Sequence, residues 1–335
     1  MKELLSALIA QEKLDKPRAK QALTDLTQGK FNNSQMAAFL TVYLMRPITV
    51  EELDGFREAM LEQCQSLNLS DFDPMDLCGT GGDGKNTFNI STLASFIVAG
   101  AGQAVAKHGN NGVSSICGSS NLLQSLGYEF TNDEDKIKRS LDQANICFLH
   151  APLFHPAMKN VVPIRRELGI KTFFNMLGPL VNPCQPQKQL TGVFNLELAR
   201  LYSYLMQGSK ASFAIVHSLD GYDEISLTGR FKVITNEGDN LLTPEDLGIN
   251  RITESDLYGG ETIEEARKIF LDLLRGGGTE AQKNVVLANA GLALSTAKGV
   301  SPEDGFAMAK ASLESGKALQ ALEKLIAKPV KSIAV

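Results

Sequence analysis

Chemistry is densest in residues 76–92, Asp76-Leu77-Cys78-Gly79-Thr80-Gly81-Gly82-Asp83-Gly84-Lys85-Asn86-Thr87-Phe88-Asn89-Ile90-Ser91-Thr92. An apolar run stops at a loop of glycine and small polar residues, and an apolar helix-like run, Leu93 to Val98, follows. Such a loop lets backbone N–H groups approach an anion closely, and the helix N-terminus behind it adds a favourable dipole. The pattern predicts a site for a phosphorylated small molecule. Gly79 to Lys85 also fits the start of the G-x-x-x-x-G-K loop of nucleoside triphosphatases. Two residues argue against that reading. Asn86 stands where a Ser or Thr would reach magnesium, and Asp83 sets a carboxylate against the triphosphate.

A second stretch, Lys107-His108-Gly109-Asn110-Asn111-Gly112-Val113-Ser114-Ser115-Ile116-Cys117-Gly118-Ser119-Ser120, follows a predicted strand and precedes a predicted helix. It offers one cation, an imidazole, amides and hydroxyls on pliant backbone. Alone it could be a solvated Ser/Gly loop. Two such loops at strand ends make one ligand site the better reading, because ligands of open α/β sheets sit outside those ends. A third feature is Asp223-Glu224. Paired carboxylates are often just a solvated surface pair. Beside phosphate loops they also suit magnesium, which takes one or two carboxylates plus phosphate oxygens. A fourth is Arg165, which could meet a carboxylate bidentately. Its neighbour Arg166 offers the same group, and local chemistry does not choose between them.

These residues need a framework of 335 residues with a net charge of −5. No long basic run is present, which argues against nucleic acid as the main partner. Five scattered cysteines (Cys64, Cys78, Cys117, Cys147, Cys184) form no C-x-x-C pair and suit a reducing compartment. Met1 to Lys13 lacks the apolar centre of a signal peptide, and no stretch is apolar enough to span a bilayer. The expectation is a cytoplasmic protein with no membrane partner.

Residues 1–70 read as helices only: a face of Leu4, Leu5, Leu8 and Ile9, a helix from a Ser34 cap through Met36, Phe39, Leu40 and Tyr43, and a capping box at Thr49 and Glu52. From residue 71 to 335, strands and helices alternate. The strand candidates are Met75–Cys78, Ala104–Lys107, Ile146–Leu149, Phe213–His217, Glu224–Leu227 and Phe231–Thr235. The fold class is therefore α/β: a small all-helical domain plus a larger α/β domain with a mostly parallel central sheet carrying one antiparallel strand. That strand is expected from a hairpin of Glu224–Leu227 with Phe231–Thr235. The proline-rich segment around 165–185 is expected to return to the helical unit.

Taken together, residues 76–92, Lys107-His108-Gly109-Asn110 with Ser114-Ser115, Arg165-Arg166-Glu167-Leu168-Gly169-Ile170, Phe174-Asn175-Met176-Leu177-Gly178-Pro179-Leu180 through Asn182-Pro183, and Gly221-Tyr222-Asp223-Glu224 resemble the anthranilate phosphoribosyltransferase family of tryptophan biosynthesis. The resemblance covers nearly the whole chain in order. It implies transfer of a phosphoribosyl group from 5-phosphoribosyl 1-diphosphate to anthranilate, a homodimer, and a nucleoside-phosphorylase-type topology. It implies that Gly79, Gly82, Asp83, Thr87, Asn89, Ile90, Ser91, Thr92, Lys107, His108, Gly109, Asn110, Asn111, Gly112, Val113, Ser114, Ser115 and Ser119 hold the phosphoribosyl diphosphate. Gly79, Asn110 and Arg165 would meet anthranilate, with His108 along its path. Ser91, Asp223 and Glu224 would serve two magnesium ions (Mg2+). Lys107 and His108 line the site, and no residue is singled out as catalytic. The chain departs from the family at Asn111 and Lys171, where Arg is common, and at Asn121 and Gln124, where acids are frequent. A pyrimidine nucleoside phosphorylase shares the topology, but its Lys-x-Ser-x-Arg constellation is missing. A non-catalytic nucleic-acid-binding relative should be basic with eroded magnesium residues.

Overall fold

The structure is a computed structural model, and it describes residues 1–112 and 116–327. Val113, Ser114, Ser115 and the basic tail lie outside the described residues. Four helices come first: α1 (Lys2–Ile9), α2 (Lys16–Thr27), α3 (Asn33–Met45) and α4 (Val50–Glu62). The α4 start is the expected reciprocal box of Thr49 and Glu52. The α3 start differs from expectation. Asn32, not Ser34, caps it, exchanging bonds with Gln35. Ser and Asn are equivalent caps chemically, so local sequence did not separate two candidates two residues apart.

The remaining elements are β1 (Met75–Gly79), α5 (Ile90–Gly100), β2 (Val105–Gly109), α6 (Ser119–Ser125), α7 (Glu134–Ala144), β3 (Ile146–His150), α8 (Ala151–Phe154), α9 (Val162–Leu168), β4 (Lys188–Gly192), α10 (Leu196–Gln207), β5 (Ser212–Ser218), β6 (Phe231–Thr235), β7 (Gly238–Leu242), α11 (Ile263–Leu274), α12 (Glu280–Lys298), α13 (Pro302–Glu314) and α14 (Lys317–Ile326). One seven-stranded sheet has the order β3-β2-β1-β4-β5-β6-β7. β1 to β5 are parallel, and β6 runs antiparallel to both its neighbours.

The antiparallel strand exists, but the expected hairpin does not. Glu224–Leu227 forms no strand, and β6 pairs with β5 and β7 instead. The reason lies on α12. Asn289, fully buried, accepts from Ile225 N–H at 3.0 Å and donates to Ile225 C=O at 2.9 Å, taking the place of a strand neighbour. Leu227 is bent into the left-handed region (φ 59°), which breaks any ladder. β4 and β7 carry no apolar run. Lys188-Gln189-Leu190-Thr191-Gly192 sits in the middle of the sheet, and β7 is a polar, exposed edge.

Two large cores flank the sheet. On one side α5 and α11–α14 bury Leu93, Phe96, Ile97, Phe270, Leu294 and their neighbours against β1 and β2. The second core joins α1–α4 to α10 and to residues 161–181. Phe173 stacks on Phe56 at 4.6 Å and meets Phe39 edge-on at 6.0 Å. Each such buried ring contributes roughly 2–3 kcal/mol. Buried residues of 161–181 thus share a core with α1–α4, and Arg165 and Asn175 line the cleft beside it.

Candidate active site

β1→β2→β3 builds outward one way, and β4 lies on the other side of β1. This reversal is where ligands of open sheets bind. The glycine loop leaves β1 there, the 110–118 loop leaves β2, and the chain after β5 brings in Asp223. A cleft of about 300 Å³ results, and every described residue that sequence reasoning named for a ligand lines it. Residues not named also line it, among them Thr80, Lys85, Phe174, Asn175, Gly178 and Pro179. The conspicuous Leu177-Gly178-Pro179 run was a signal that could have found the last two. A larger cavity of about 950 Å³ lies between β5–β7 and α12–α13, but among the described residues no Lys, Arg or His lines it. It offers no cation to a phosphate, so the smaller cleft is the candidate site.

The glycine loop turns through Gly81, Gly82 and Gly84, all at positive φ, where a side chain is strained. Gly79 is needed for another reason: a Cβ there would overlap the Asp223 carboxylate. Gly192, at the end of β4, would overlap the Asp223 backbone in the same way. Two glycines from neighbouring strands therefore make room for one aspartate. Sequence reasoning missed Gly192, which has no local motif.

Asp223 is buried and accepts from Gly81 N–H at 2.7 Å. Desolvation, then Asp83, pushes its carboxyl above the usual range, with only backbone amides opposing. Glu224 is pushed up by burial and then by Asp223, offset in part by Lys107 and by the Ser91 N–H at the start of α5. Ser218 Oγ donates to Glu224 C=O at 2.7 Å and fixes the backbone there. Hard oxygen donors are thus crowded together with Lys107 offsetting their charge only in part. Among the described residues no three His, Cys, Asp or Glu side chains cluster as a metal cage. The Asp223 and Glu224 carboxylates with the Ser91 hydroxyl are a donor set that would suit a magnesium ion, which would also take phosphate oxygens and water.

Lys107 is buried on β2. Its ammonium donates to Leu77 C=O and lies 3.2 Å from Ser91 Oγ. Beneath it, buried Asp76 accepts from His108 N–H at 3.1 Å and from Asn182 Nδ2 at 2.8 Å, locking β1, β2 and the 178–183 turn together. His108 Nδ1 sits 3.0 Å from Gly178 C=O. A carbonyl only accepts, so Nδ1 carries the proton and Nε2 keeps a lone pair. That Nε2 is buried with no partner among the described residues. Burial and then nearby His155 push the imidazole down to about 3, so it stays neutral.

The structure chooses between the two arginines. α9 turns Arg165 into the cleft and leaves Arg166 exposed. Arg165 stacks over Phe174 at 5.3 Å and donates to Asn175 Oδ1 at 3.3 Å. Desolvation lowers its pKa, and no carboxylate pairs with it among the described residues. A desolvated guanidinium on an aromatic wall is a receptor for a planar carboxylate.

Comparison with known proteins agrees with this architecture. Residues 72–319 match the family model "Glycosyl transferase family, a/b domain", and residues 2–64 match "Glycosyl transferase family, helical bundle domain". The anthranilate phosphoribosyltransferase of Flavobacterium psychrophilum is 60% identical over 97% of this chain and 98% of its own length. That of Bacteroides thetaiotaomicron is 54% identical over 97% and 98%. The crystal structure of the enzyme from Thermus thermophilus superposes with a TM-score of 0.90 at 34% identity, covering 96% of this chain and 98% of that one. The enzyme from Saccharomyces cerevisiae in complex with PRPP and Mg gives 0.88 at 28% identity, covering 96% and 95%. On its fold, its cleft and these likenesses, the chain belongs to the anthranilate phosphoribosyltransferases of the glycosyl transferase family.

Proposed function

We propose that this protein transfers the 5-phosphoribosyl group of 5-phosphoribosyl 1-diphosphate to the amine of anthranilate, in tryptophan biosynthesis. The products are N-(5-phosphoribosyl)anthranilate and diphosphate. The observation that carries the reading is one cleft with an anion loop, a buried lysine and an electron-rich carboxylate pair at one end, and a desolvated arginine on an aromatic wall at the other.

Cleaving the ribose C1–diphosphate bond leaves positive charge on the sugar and negative charge on the leaving group. The loop amides from Gly79 to Asp83 and the start of α5 face that negative charge as preorganised donors. Lys107 contributes its ammonium from below. Asn89, Ile90, Ser91, Thr92, Gly109 to Gly112 and Ser119 enclose the rest of the donor, and Thr87 closes its edge. In this reading Val113, Ser114 and Ser115 also belong to the donor site. Two magnesium ions, held by Ser91, Asp223 and Glu224, would neutralise diphosphate charge when bound. Arg165 pairs with the anthranilate carboxylate, Asn110 and the Gly79 backbone orient the ring, and the neutral His108 presents Nε2 as an acceptor along its path. The arylamine is a neutral nucleophile, so holding it in line supplies much of the rate.

In the same reading, residues 1–70 with the 165–185 segment act as one helical domain and residues 71–335 as the donor-binding domain. The helical unit exposes Ile9, Leu44 and Met45, an apolar surface suited to a homodimer. The scattered, free cysteines are the ground for a cytoplasmic location. No described helix is long and apolar enough to cross a membrane.

The test follows anthranilate fluorescence with purified protein, phosphoribosyl diphosphate and magnesium. A magnesium-dependent loss that disappears in Lys107→Ala and in Asp223→Asn/Glu224→Gln is expected. Binding of the donor without any loss would mean another acceptor. Neither binding nor loss would turn the reading toward a non-catalytic relative.

A further inference from the structure

We propose that Lys171 is a positioning residue for the donor's diphosphate, acting through the backbone of the glycine loop. The proposal rests on the reading of the cleft given above. Lys171 lies outside the cleft lining, yet its ammonium donates to the carbonyl of Gly82, and its stem packs beside the Gly82 α-carbon. Among the described residues no other donor reaches that carbonyl.

A trans peptide points its C=O and the following N–H in opposite directions. Pinning Gly82 C=O toward Lys171, which lies outside the cleft lining, therefore turns Asp83 N–H to the opposite side of the peptide, toward the cleft. Gly82 sits at φ 75°, and Gly81 before it, at φ 64°, is equally pliant. On the Gly82 side nothing in the covalent geometry fixes this peptide plane, and the Lys171 tether holds it there. The tether comes from a firm base. The next residue, Thr172, is buried, its N–H donates to Asn175 Oδ1, and Phe173 is stacked in the helical core. The magnesium carboxylates lie against the same loop, and magnesium shares its shell with substrate phosphate oxygens. The inward N–H thus faces the diphosphate rather than the distant end of the donor.

Calorimetry on the full chain with magnesium tests this, using diphosphate and ribose 5-phosphate as separate probes. In Lys171→Met, which keeps the stem and loses the donor, diphosphate binding should weaken by about 10–100-fold, the value of a charge-assisted hydrogen bond. Ribose 5-phosphate binding should change less than about twofold, since no such bond is lost to it. Lys171→Arg, which restores a cationic donor, should recover most of the diphosphate affinity. In turnover, the methionine variant should raise KM for phosphoribosyl diphosphate while KM for anthranilate holds. Unchanged diphosphate binding overturns the proposal. Equal weakening of both probes also overturns it, since that marks general loosening of the cleft. If the wild type binds both probes but does not consume anthranilate, the reaction assignment fails while the Lys171 measurement still stands.

Discussion

Two buried carboxylate sites in this molecule are treated in opposite ways. Glu52, in the helical unit, has no exposure to solvent. It accepts from Leu14 N–H at 3.0 Å, Thr49 N–H at 3.0 Å and Tyr43 OH at 3.2 Å, and it pairs with Arg46. Burial raises its pKa, but Arg46 and the backbone donors outweigh that, and the carboxyl ends below its usual value. Asp223 is also buried and Glu224 is half-buried, but their nearest charges are each other and Asp83, which Lys107 offsets only in part, and they end above their usual values. The helical unit completes its own charge balance and so gains structure. The cleft leaves its balance open, and in the proposed reading a cation with an anionic substrate would complete it. An uncompensated buried charge cluster is costly to the empty protein, so it marks a site kept for function.

The comparison can be broken at its strongest point first. Asp223→Asn/Glu224→Gln should lower turnover by on the order of 10²–10³-fold, as loss of preorganised charge does elsewhere. The same change should leave the metal-free protein equally or more stable in urea, because it removes the repulsion. Arg46→Ala should do the reverse. It strands Glu52, costing about 3–5 kcal/mol of stability, while turnover per folded molecule stays near wild type. A double variant that unfolds as Arg46→Ala does would sink the distinction.

A smaller effect sharpens the role of the backbone behind Glu224. Asn289→Leu removes both bonds to Ile225 and leaves a buried N–H and C=O unmet, at a cost of roughly 2–4 kcal/mol. Because Glu224 adjoins Ile225, the magnesium concentration for half-maximal activity should rise as well. An unchanged magnesium requirement would show that the carboxylates are held without α12.

The smallest test uses pH. Burial holds His108 down to about 3 and His155 to about 4, against 6.5 in the unfolded chain. The unfolded state therefore takes up protons first, and these groups cost stability as pH falls from 6.5 toward 4, by about 1.4 kcal/mol per pH unit each. Asp223 and Glu224 are raised from 3.8 and 4.5, so the folded state takes up protons before the unfolded one and stability rises as pH falls through the same range. In the wild type without metal the two slopes oppose. In Asp223→Asn/Glu224→Gln the slope from these two carboxylates is gone while the histidine slope remains. Denaturant melts at about pH 7, 6 and 5, which bracket the unfolded histidine value, should show the variant losing more stability on acidification than the wild type.

Much of this was legible in the chain itself. β1, β2, β3, β5 and β6 announce themselves as short apolar runs, and the glycine loop and the 107–112 stretch carry their chemistry in consecutive residues. Local patterns decide these because the backbone preference and the donor groups belong to neighbours in sequence. β4, β7 and the failed hairpin at 224–227 were not legible. β4 is a strand because it is sandwiched between β1 and β5, and residues 224–227 are not one because Asn289, 64 residues beyond Ile225, bonds to it.

The sequence by itself determined which groups could bind a phosphate, a hard cation and a carboxylate, since those properties belong to side chains and glycines wherever they stand. Only the tertiary structure decided which of them meet. It turned Arg165 inward and Arg166 outward, made Gly192 the neighbour of Asp223, and brought Lys171 to the carbonyl of Gly82. Contacts between residues so far apart in sequence are set by packing and by the direction of the chain at a crossover, and no local pattern contains either.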